Sequence, residues 1–258
     1  MIGVLVNQKG GVAKTTNTVH IGACLAQKGF KVLLIDFDSQ CDLTHSVGIK
    51  NADYTVVDFL EGKPNFRLKQ KSENFFILPG DDDFISNKYK KNILKEKLNQ
   101  RVGNGTSLNE FFDYIFIDCP PSKIILSDKK YNNSEIEIAL YSSDFFIIPL
   151  KADDFSVKNA NKFLGKVSTF ISSNNLDIKF LGFFFGCILV TENSKEYYTR
   201  IFEKNNVTLL FDAFIRQDSE VKKAVQKGLT IFQHNPNCRA SLDFETLTNE
   251  FLKKLNNG

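Results

Sequence analysis

The residues best suited to chemistry lie in one short stretch near the start of the chain, NQKGGVAKTT, Asn7 to Thr16. It follows an apolar run, Ile2 to Val6, and precedes a segment with the apolar spacing of a helix. Adjacent glycines let a backbone turn tightly and direct N–H groups at phosphate oxygens, at the positive end of the helix that follows. A lysine and a hydroxyl after such a turn supply a charge for the β- and γ-phosphates and a ligand for Mg²⁺. The stretch therefore predicts a strand, a phosphate-binding loop and a helix.

The spacing of this loop differs from the common G-x-x-x-x-G-K-[ST] pattern, because Ala13 stands where the last glycine is expected. A second lysine, Lys9, directly precedes the glycine pair and completes the K-G-G-x-x-K-[ST] pattern of a deviant Walker A loop. With this pattern the chain resembles the ParA/MinD family of ATPases. The residues expected to contact the nucleotide here are Lys9, Gly10, Gly11, Val12, Ala13, Lys14, Thr15 and Thr16.

Carboxylates follow two further predicted strands. KVLLI, residues 31–35, predicts a buried strand that ends at Asp36, and Asp38 follows in a D-x-D-x-Q string. YIFIDCPPS, residues 114–122, predicts a strand that ends at Asp118. An aspartate in this position is typical of a Walker B motif, whose carboxylate reaches Mg²⁺. Both strings resemble ParA/Soj sequences, although aspartates at a strand end also serve simply to cap a helix. Open α/β sheets bind ligands at this edge, so we expect both groups beside the phosphate loop.

Strands and helices alternate along the rest of the chain. Predicted strands cover residues 74–80, 144–150, 180–189 and 207–211. Predicted helices cover residues 55–61, 135–141, 155–171, 194–204 and a terminal stretch from about 241, and an exposed helix followed by a turn is predicted within 81–105. This order predicts the α/β class, a single-domain, mostly parallel β-sheet flanked by helices on both faces, the P-loop NTPase fold of deviant Walker A type. We expect one domain over residues 1–258. Because the first strand starts at residue 2, we expect no N-terminal helix-turn-helix domain.

Composition sets broad limits on the class of protein. A chain of 258 residues can build a large core, and a net charge of +3 is too mild to demonstrate nucleic-acid binding. The five cysteines are scattered without a C-x-x-C pair, which disfavours a disulfide framework or a structural metal and favours a reducing compartment. No secretion signal is recognisable, and the apolar runs are too short to cross a bilayer as helices. We therefore expect a cytoplasmic protein.

The resemblance implies an ATPase that forms a homodimer around ATP and Mg²⁺ and turns over slowly without a ParB-like activator. Lys14 would hold the nucleotide of its own subunit, Lys9 would reach the phosphates of the other subunit as an arginine finger does, and Asp38 would orient the attacking water. The expected metal ligands are Thr15, Asp36 and Asp118. The resemblance further implies plasmid or chromosome partitioning by an ATP-bound dimer that binds double-stranded DNA without sequence preference and so resides on the nucleoid.

The second half of the chain is less specific. The segment that matches the adenine-binding turn of the family, residues 215–218, offers Arg216 as a nucleotide contact or merely as a surface arginine. Residues 123–133 are polar where the family has an apolar helix, and Ser39 replaces the usual proline. A late basic cluster is either a DNA-binding surface or a solvated face, and its members are Lys195, Arg200, Lys204, Arg216, Lys222, Lys223 and Lys227.

Three other interpretations remain open. A MinD-like membrane ATPase would need a C-terminal amphipathic anchor, but the apolar stripe of the last helix is equally typical of a core helix, so we do not expect membrane binding. A nitrogenase-reductase-like iron protein would need two cysteines per subunit, and only Cys119 lies in a motif. A non-enzymatic DNA-binding scaffold would have no use for Asp38. The stripe consists of Phe244, Leu247, Phe251, Leu252 and Leu255.

Overall fold

The computed structural model describes residues 1–102, 105–127, 129–189 and 209–256. Its strands are β1 (Ile2–Leu5), β2 (Val32–Asp36), β3 (Lys69–Ser72), β4 (Phe75–Leu78), β5 (Arg101–Val102), β6 (Thr106–Ser107), β7 (Tyr114–Asp118), β8 (Phe145–Lys151) and β9 (Lys179–Cys187). Seven of them form one sheet in the order β3-β4-β2-β7-β1-β8-β9. Every neighbouring pair is parallel except β3 with β4, while β5 and β6 form a separate antiparallel pair.

Helices connect the strands over both faces of this sheet. They are α1 (Lys14–Gln27), α2 (Asp42–Ser46), α3 (Val56–Glu61), α4 (Ile93–Asn99), α5 (Leu108–Phe111), α6 (Glu135–Ser142), α7 (Asp154–Ser173), α8 (Ser219–Gln226), α9 (Ile231–His234) and α10 (Arg239–Asn256). Four helices begin with a capping box, in which a Ser or Thr side chain accepts from the third backbone N–H and that residue's side chain accepts in return. The capping residues are Thr55, Ser107, Ser134 and Thr230.

The core has two layers, one on each face of the sheet. One layer packs α3, α4, α6 and α7 against the strands, and the other packs α1, α2, α8, α9 and α10. Because the central strands are covered on both faces, β2 and β7 are buried at every position. Gly22 brings α1 close to the sheet, since a Cβ at that position would lie 2.7 Å from Leu34 Cδ2. The phosphate loop is thus held between a rigid strand and a tightly packed helix.

The predicted α/β fold, with a mostly parallel sheet covered on both faces, is confirmed. The exposed helix predicted within residues 81–105 is wrong in part: only 93–99 form an α-helix, and Leu94 and Leu98 are fully buried against the core. The antiparallel edge strand β3 was not predicted, because KQKS has no apolar alternation. The predicted helix 194–204 lies outside the described residues, as do the first two residues of the predicted strand 207–211. Of its three described residues, Leu210 makes one parallel bridge to Phe183. The span of the domain and the absence of a helix-turn-helix stay predictions.

Candidate active site

Neighbouring strands bring the predicted motifs to one edge of the sheet. The phosphate loop follows β1, which lies between β7 and β8, and β2 lies on the far side of β7. In this register Leu5 pairs with Asp118, and Asp118 pairs with Asp36. The loop and both aspartates therefore meet at the carboxyl ends of parallel strands, where α/β sheets bind ligands.

The loop makes its turn with two residues in the left-handed region. Gly11 has φ 67°, and Ala13, the residue before α1, has φ 61° and ψ 34°. Alanine therefore adopts the backbone conformation that the common motif assigns to glycine, at some cost in strain. A Cβ at Gly11 would lie 3.3 Å from Lys151 Nζ, so this ammonium sits against the loop. Since the first N–H groups of any helix lack partners within it, the turn leaves the start of α1 facing an anion site.

Two lysines place positive charge at this site. Lys14 begins α1 and is only 6% exposed, and burial lowers the pKa of its ammonium while nearby Asp118 opposes that shift. Sequence reasoning missed the other lysine, Lys151. Lys151 ends β8, and its position beside the loop follows from the pairing of β8 with β1, a strand order that the local sequence does not reveal. Both ammonium groups therefore add positive charge around the loop.

The Asp118 carboxylate is the least satisfied polar group of the site. It is fully buried, and neither of its oxygens lies within hydrogen-bond geometry of a described donor, although the Thr15 hydroxyl is close enough to lower its pKa. Burial, followed by the nearby Asp36 carboxylate, raises the pKa of Asp118 well above its ordinary value, while Thr15 and Lys14 oppose this shift. A buried carboxylate without a partner is costly unless a cation or a proton joins it. With the Thr15 hydroxyl beside it, this oxygen-donor set fits Mg²⁺.

Asp36 is just as buried but is hydrogen-bonded. Its Oδ2 accepts from Thr44 N at 2.9 Å and from Thr44 Oγ1 at 2.6 Å, and its Oδ1 accepts from Asp38 N at 3.3 Å. Thr44 Oγ1 in turn accepts from Gly80 N at 2.8 Å. Burial raises the pKa of Asp36 to about 6 in spite of these bonds. Asp36 therefore anchors the start of α2, as the helix-capping interpretation expects, and its role as a metal ligand stays a prediction.

Asp38 lies at the bend between β2 and α2. Its Oδ1 accepts from Gln40 N at 2.9 Å, and the residue is 9% exposed. Burial raises the pKa of Asp38, with further contributions from Asp42 and Glu135, whereas Lys14 lowers it. A largely buried carboxylate near the phosphate loop is well suited to accept a hydrogen bond from an attacking water.

Lys9 points to the opposite side of the sheet from α1. Its Nζ lies 3.3 Å from Asp153 Oδ2, and its backbone N–H donates to Asn7 Oδ1. Asp153 is also the N-cap of α7, where its Oδ1 accepts from Ser156 N at 2.6 Å. Helix α7 packs on one face of the sheet and α1 on the other. The two lysines of the signature therefore serve different sides of the loop.

Arg216 binds a carboxylate of its own chain. Its Nε donates to Asp243 Oδ2 at 2.9 Å, its Nη2 donates to Asp243 Oδ1, and its backbone N–H donates to Oδ2 at 3.0 Å. This pair ties the turn before α8 to α10, and its contact with a nucleotide stays a prediction. In the late basic cluster, Lys223 pairs with Glu220 at 2.6 Å, and Lys222 is exposed without an ion pair among the described residues. Lys195, Arg200 and Lys204 lie outside the described residues.

Comparison with known proteins agrees with this geometry. A family model described as an AAA domain matches residues 1–180. A virulence plasmid ParA family protein of Chlamydia psittaci is 30% identical over 96% of this chain and 92% of that protein. The chain belongs to the ParA/MinD family of ATPases.

This ParA-family chain is also 28% identical to the chromosome-partitioning ATPase Soj of Treponema pallidum, over 97% of this chain and 96% of that protein. Among solved structures, apo McdA of Cyanothece has a TM-score of 0.76 at 22% identity and 98% coverage of both chains. The cell-division ATPase MinD of Pyrococcus furiosus has a TM-score of 0.72 at 23% identity, also with 98% coverage of both chains. These structures share the fold with this ParA-family chain.

Proposed function

We propose that this protein is a partition ATPase that binds ATP with Mg²⁺, dimerises around the nucleotides and hydrolyses ATP slowly until a ParB-like partner stimulates it. The observation that carries the proposal is that the two lysines of one motif lie on opposite sides of the loop. Lys14 is buried at the start of α1, whereas Lys9 pairs with Asp153 on the α7 side. A lysine placed there is poorly situated for its own phosphates, which supports a role in trans on the nucleotide of a second subunit.

The chain's own groups have separate tasks in this proposal. Lys14 and the loop N–H groups bind the phosphates, and the Asp38 carboxylate orients the water that attacks them. Asp118, Thr15 and Asp36 would hold Mg²⁺, which supplies positive charge to the phosphate oxygens when bound. Lys9 of the second subunit completes the site, so turnover requires two chains.

DNA binding is the second part of the proposal. We propose that the ATP-bound dimer binds double-stranded DNA through backbone phosphates and without sequence preference, and therefore resides on the nucleoid. Lys222 and Lys223 on α8 are exposed, and dimerisation would bring two such surfaces together. Each additional phosphate neutralised contributes about −0.9 to the slope of log K against log salt, so the dimer would bind DNA much more tightly than a single chain.

The MinD-like alternative needs an exposed apolar stripe on the terminal helix, and the structure buries that stripe. Four residues of the terminal stripe are buried in the core, namely Phe244 (0% exposed), Leu247 (1%), Phe251 (0%) and Leu255 (9%). The fifth, Leu252, is partly buried against the same core. Among the described residues, no helix combines the length and the apolar character that a bilayer crossing demands. Exposing this stripe to lipid would cost the packing between α10 and α1.

DNA titration tests the proposal. Long duplexes of unrelated sequence are titrated with the Asp38→Ala protein in ATP and in ADP, and with the Lys9→Ala protein in ATP. We expect tight binding only for Asp38→Ala in ATP, and a loss on charge reversal at Lys222 and Lys223. Equal affinity in all three conditions would refute the nucleotide switch. Unchanged affinity after charge reversal would show that α8 is only a solvated face.

A further inference from the structure

A cavity of about 520 Å³ lies beside the phosphate loop on the α7 side. Its walls are the start of that loop (Asn7 to Lys9), the turn after β7, and one face of α7. The α7 residues that line it recur every three or four positions, and Ala160 and Phe163 among them form a buried apolar floor. This volume is within the range of sites that hold a small organic ligand.

Positive charge dominates the lining. Lys9, Lys123 and Lys166 contribute three ammonium groups, and no aspartate or glutamate is among the described residues that line the cavity. Lys9 also pairs with Asp153 at 3.3 Å, which places a carboxylate beside the cavity. We call this site the lysine cavity. Such a concentration of like charge at a concave surface attracts an anion.

The nucleotide held by the same chain is not the anion that the lysine cavity would bind. None of the residues from Gly10 to Thr16 lines the cavity, and neither does Asp36, Asp38 or Asp118. Helix α1, which receives the chain's own phosphates, packs on the other face of the sheet. This arrangement favours an anion from another molecule, and Lys9 joins the cavity to the surface where a second subunit is proposed to dock.

We propose that the lysine cavity receives the nucleotide phosphates of a second copy of this chain, with Lys123 and Lys166 as positioning residues that act beside Lys9. The inference rests on the proposed function. A triphosphate carries several negative charges, more than one ammonium balances, and closing the interface removes the water that screens them. Lys123 and Lys166 then attract and orient the partner's nucleotide, while Lys9 approaches the phosphate that is transferred.

The test compares two double variants of equal charge in the Asp38→Ala background with saturating ATP. Lys123→Gln with Lys166→Gln removes two cavity charges; Lys158→Gln with Lys162→Gln removes two exposed α7 charges that do not line the cavity. We expect the cavity variant to raise the dimer dissociation constant in sedimentation by about tenfold and to flatten its salt dependence. We expect the control to change it less than about twofold, and arginine at 123 and 166 to restore dimerisation. Fluorescent ATP analogue binding to the single chain should stay unchanged in all variants.

Each other outcome has a definite meaning. Equal dissociation constants for the cavity variant and the control would overturn the inference. A cavity variant that dimerises normally but binds DNA less tightly would overturn it as well, since the lysines would then contact DNA phosphates. A Lys9→Ala protein that keeps Asp38 distinguishes failure of this inference from failure of the proposed function. If it dimerises and hydrolyses ATP like the unsubstituted protein, the proposed function fails. If only Lys9→Ala is impaired, the proposed function stands and the lysine cavity does not.

Discussion

Two aspartates occupy equivalent places in this sheet and have opposite surroundings. Asp36 and Asp118 are register partners at the ends of β2 and β7, and both are fully buried. Asp36 accepts three hydrogen bonds, two of them from Thr44, whereas among the described donors the Asp118 oxygens have only the Thr15 hydroxyl nearby, outside hydrogen-bond geometry. A buried acceptor that is left without a donor costs free energy, and a bound cation would remove that cost. We infer that Asp36 fixes the local structure through Thr44 besides its proposed contact with Mg²⁺, whereas Asp118 serves the metal alone.

The largest expected effect comes from substituting each aspartate by asparagine, which distinguishes the role of Asp118 from that of Asp36. Asp118→Asn should lower Mg²⁺-dependent ATP turnover at least about a hundredfold, the effect of removing one transition-state contact, yet raise the melting temperature without nucleotide because a buried charge is removed. Asp36→Asn should lower the melting temperature, because an amide group would face the donors at Thr44 and Asp38. Phosphate release and calorimetry measure both. Equal destabilisation by the two variants would contradict the comparison.

The pH dependence of stability sharpens the comparison. The folded pKa of Asp36, about 6, lies above its unfolded value, so its contribution to stability is complete below pH 3.8 and is lost as the pH rises through 6. His20 is buried against Phe244, and burial lowers its pKa to about 4, so it destabilises the fold as the pH falls from 6.5 towards 4. The neutral His20→Gln protein should therefore lose about 3 kcal/mol less unfolding free energy than the parent as the pH falls from 6.5 to 4. Urea unfolding of the Mg²⁺-free protein between pH 4 and 7 measures it, and an unchanged pH profile would refute a neutral buried His20.

A hydroxyl next to Asp36 offers a matched pair of variants. Thr44→Val removes the donor to Asp36 and the acceptor for Gly80 N, and should cost about 1–3 kcal/mol of unfolding free energy. Thr18→Val removes an equally buried hydroxyl that has no hydrogen-bond partner among the described residues, so it should be neutral or stabilising. Chemical denaturation compares them. If the two substitutions cost the same, the hydrogen bonds to Asp36 do not stabilise the fold.

The smallest expected effect concerns the loop that both aspartates flank. Ala13→Gly should relieve the left-handed strain at φ 61° and raise the unfolding free energy by up to about 1 kcal/mol, since glycine adopts this conformation without a Cβ clash. Gly165→Ala, at an ordinary helical position in α7, serves as the control. It measures how glycine and alanine differ in backbone entropy where no left-handed strain is present. A destabilised Ala13→Gly protein would show that the alanine side chain has a packing role.

The sequence predicted the site more fully than its surroundings. Asn7 to Thr16, Asp36 and Asp118 were predictable because each motif lies within a few residues of its own strand. The position of Lys151 and the pairing of Lys9 with Asp153 depend on residues more than 100 positions away. The difference between Asp36 and Asp118 was not predictable either, since two of the three donors to Asp36 come from Thr44 in α2 and the strand sequences alone do not reveal them.

The polar segment before α6 shows the same limit of local patterns. Residues 123–133 carry no helical apolar pattern, and in the described part of this segment the structure has no helix. Glu137 holds it instead: one carboxylate oxygen accepts from the N–H groups of Ile125 and Leu126, both at 2.8 Å, and the other accepts from Ser134 N at 2.9 Å. A turn fixed by one distant carboxylate leaves no periodic signal in the sequence.

Mixing two inactive proteins tests the central claim, that two chains share each site, most directly. Lys9→Ala retains Asp38, and Asp38→Ala retains Lys9, so each mixed dimer would have one complete site. Equimolar mixing should restore phosphate release to about a quarter of the parent rate, because half of the dimers are mixed and each has one working site. If the mixture releases phosphate no faster than the two proteins measured separately, Lys9 does not act in trans and the account is wrong.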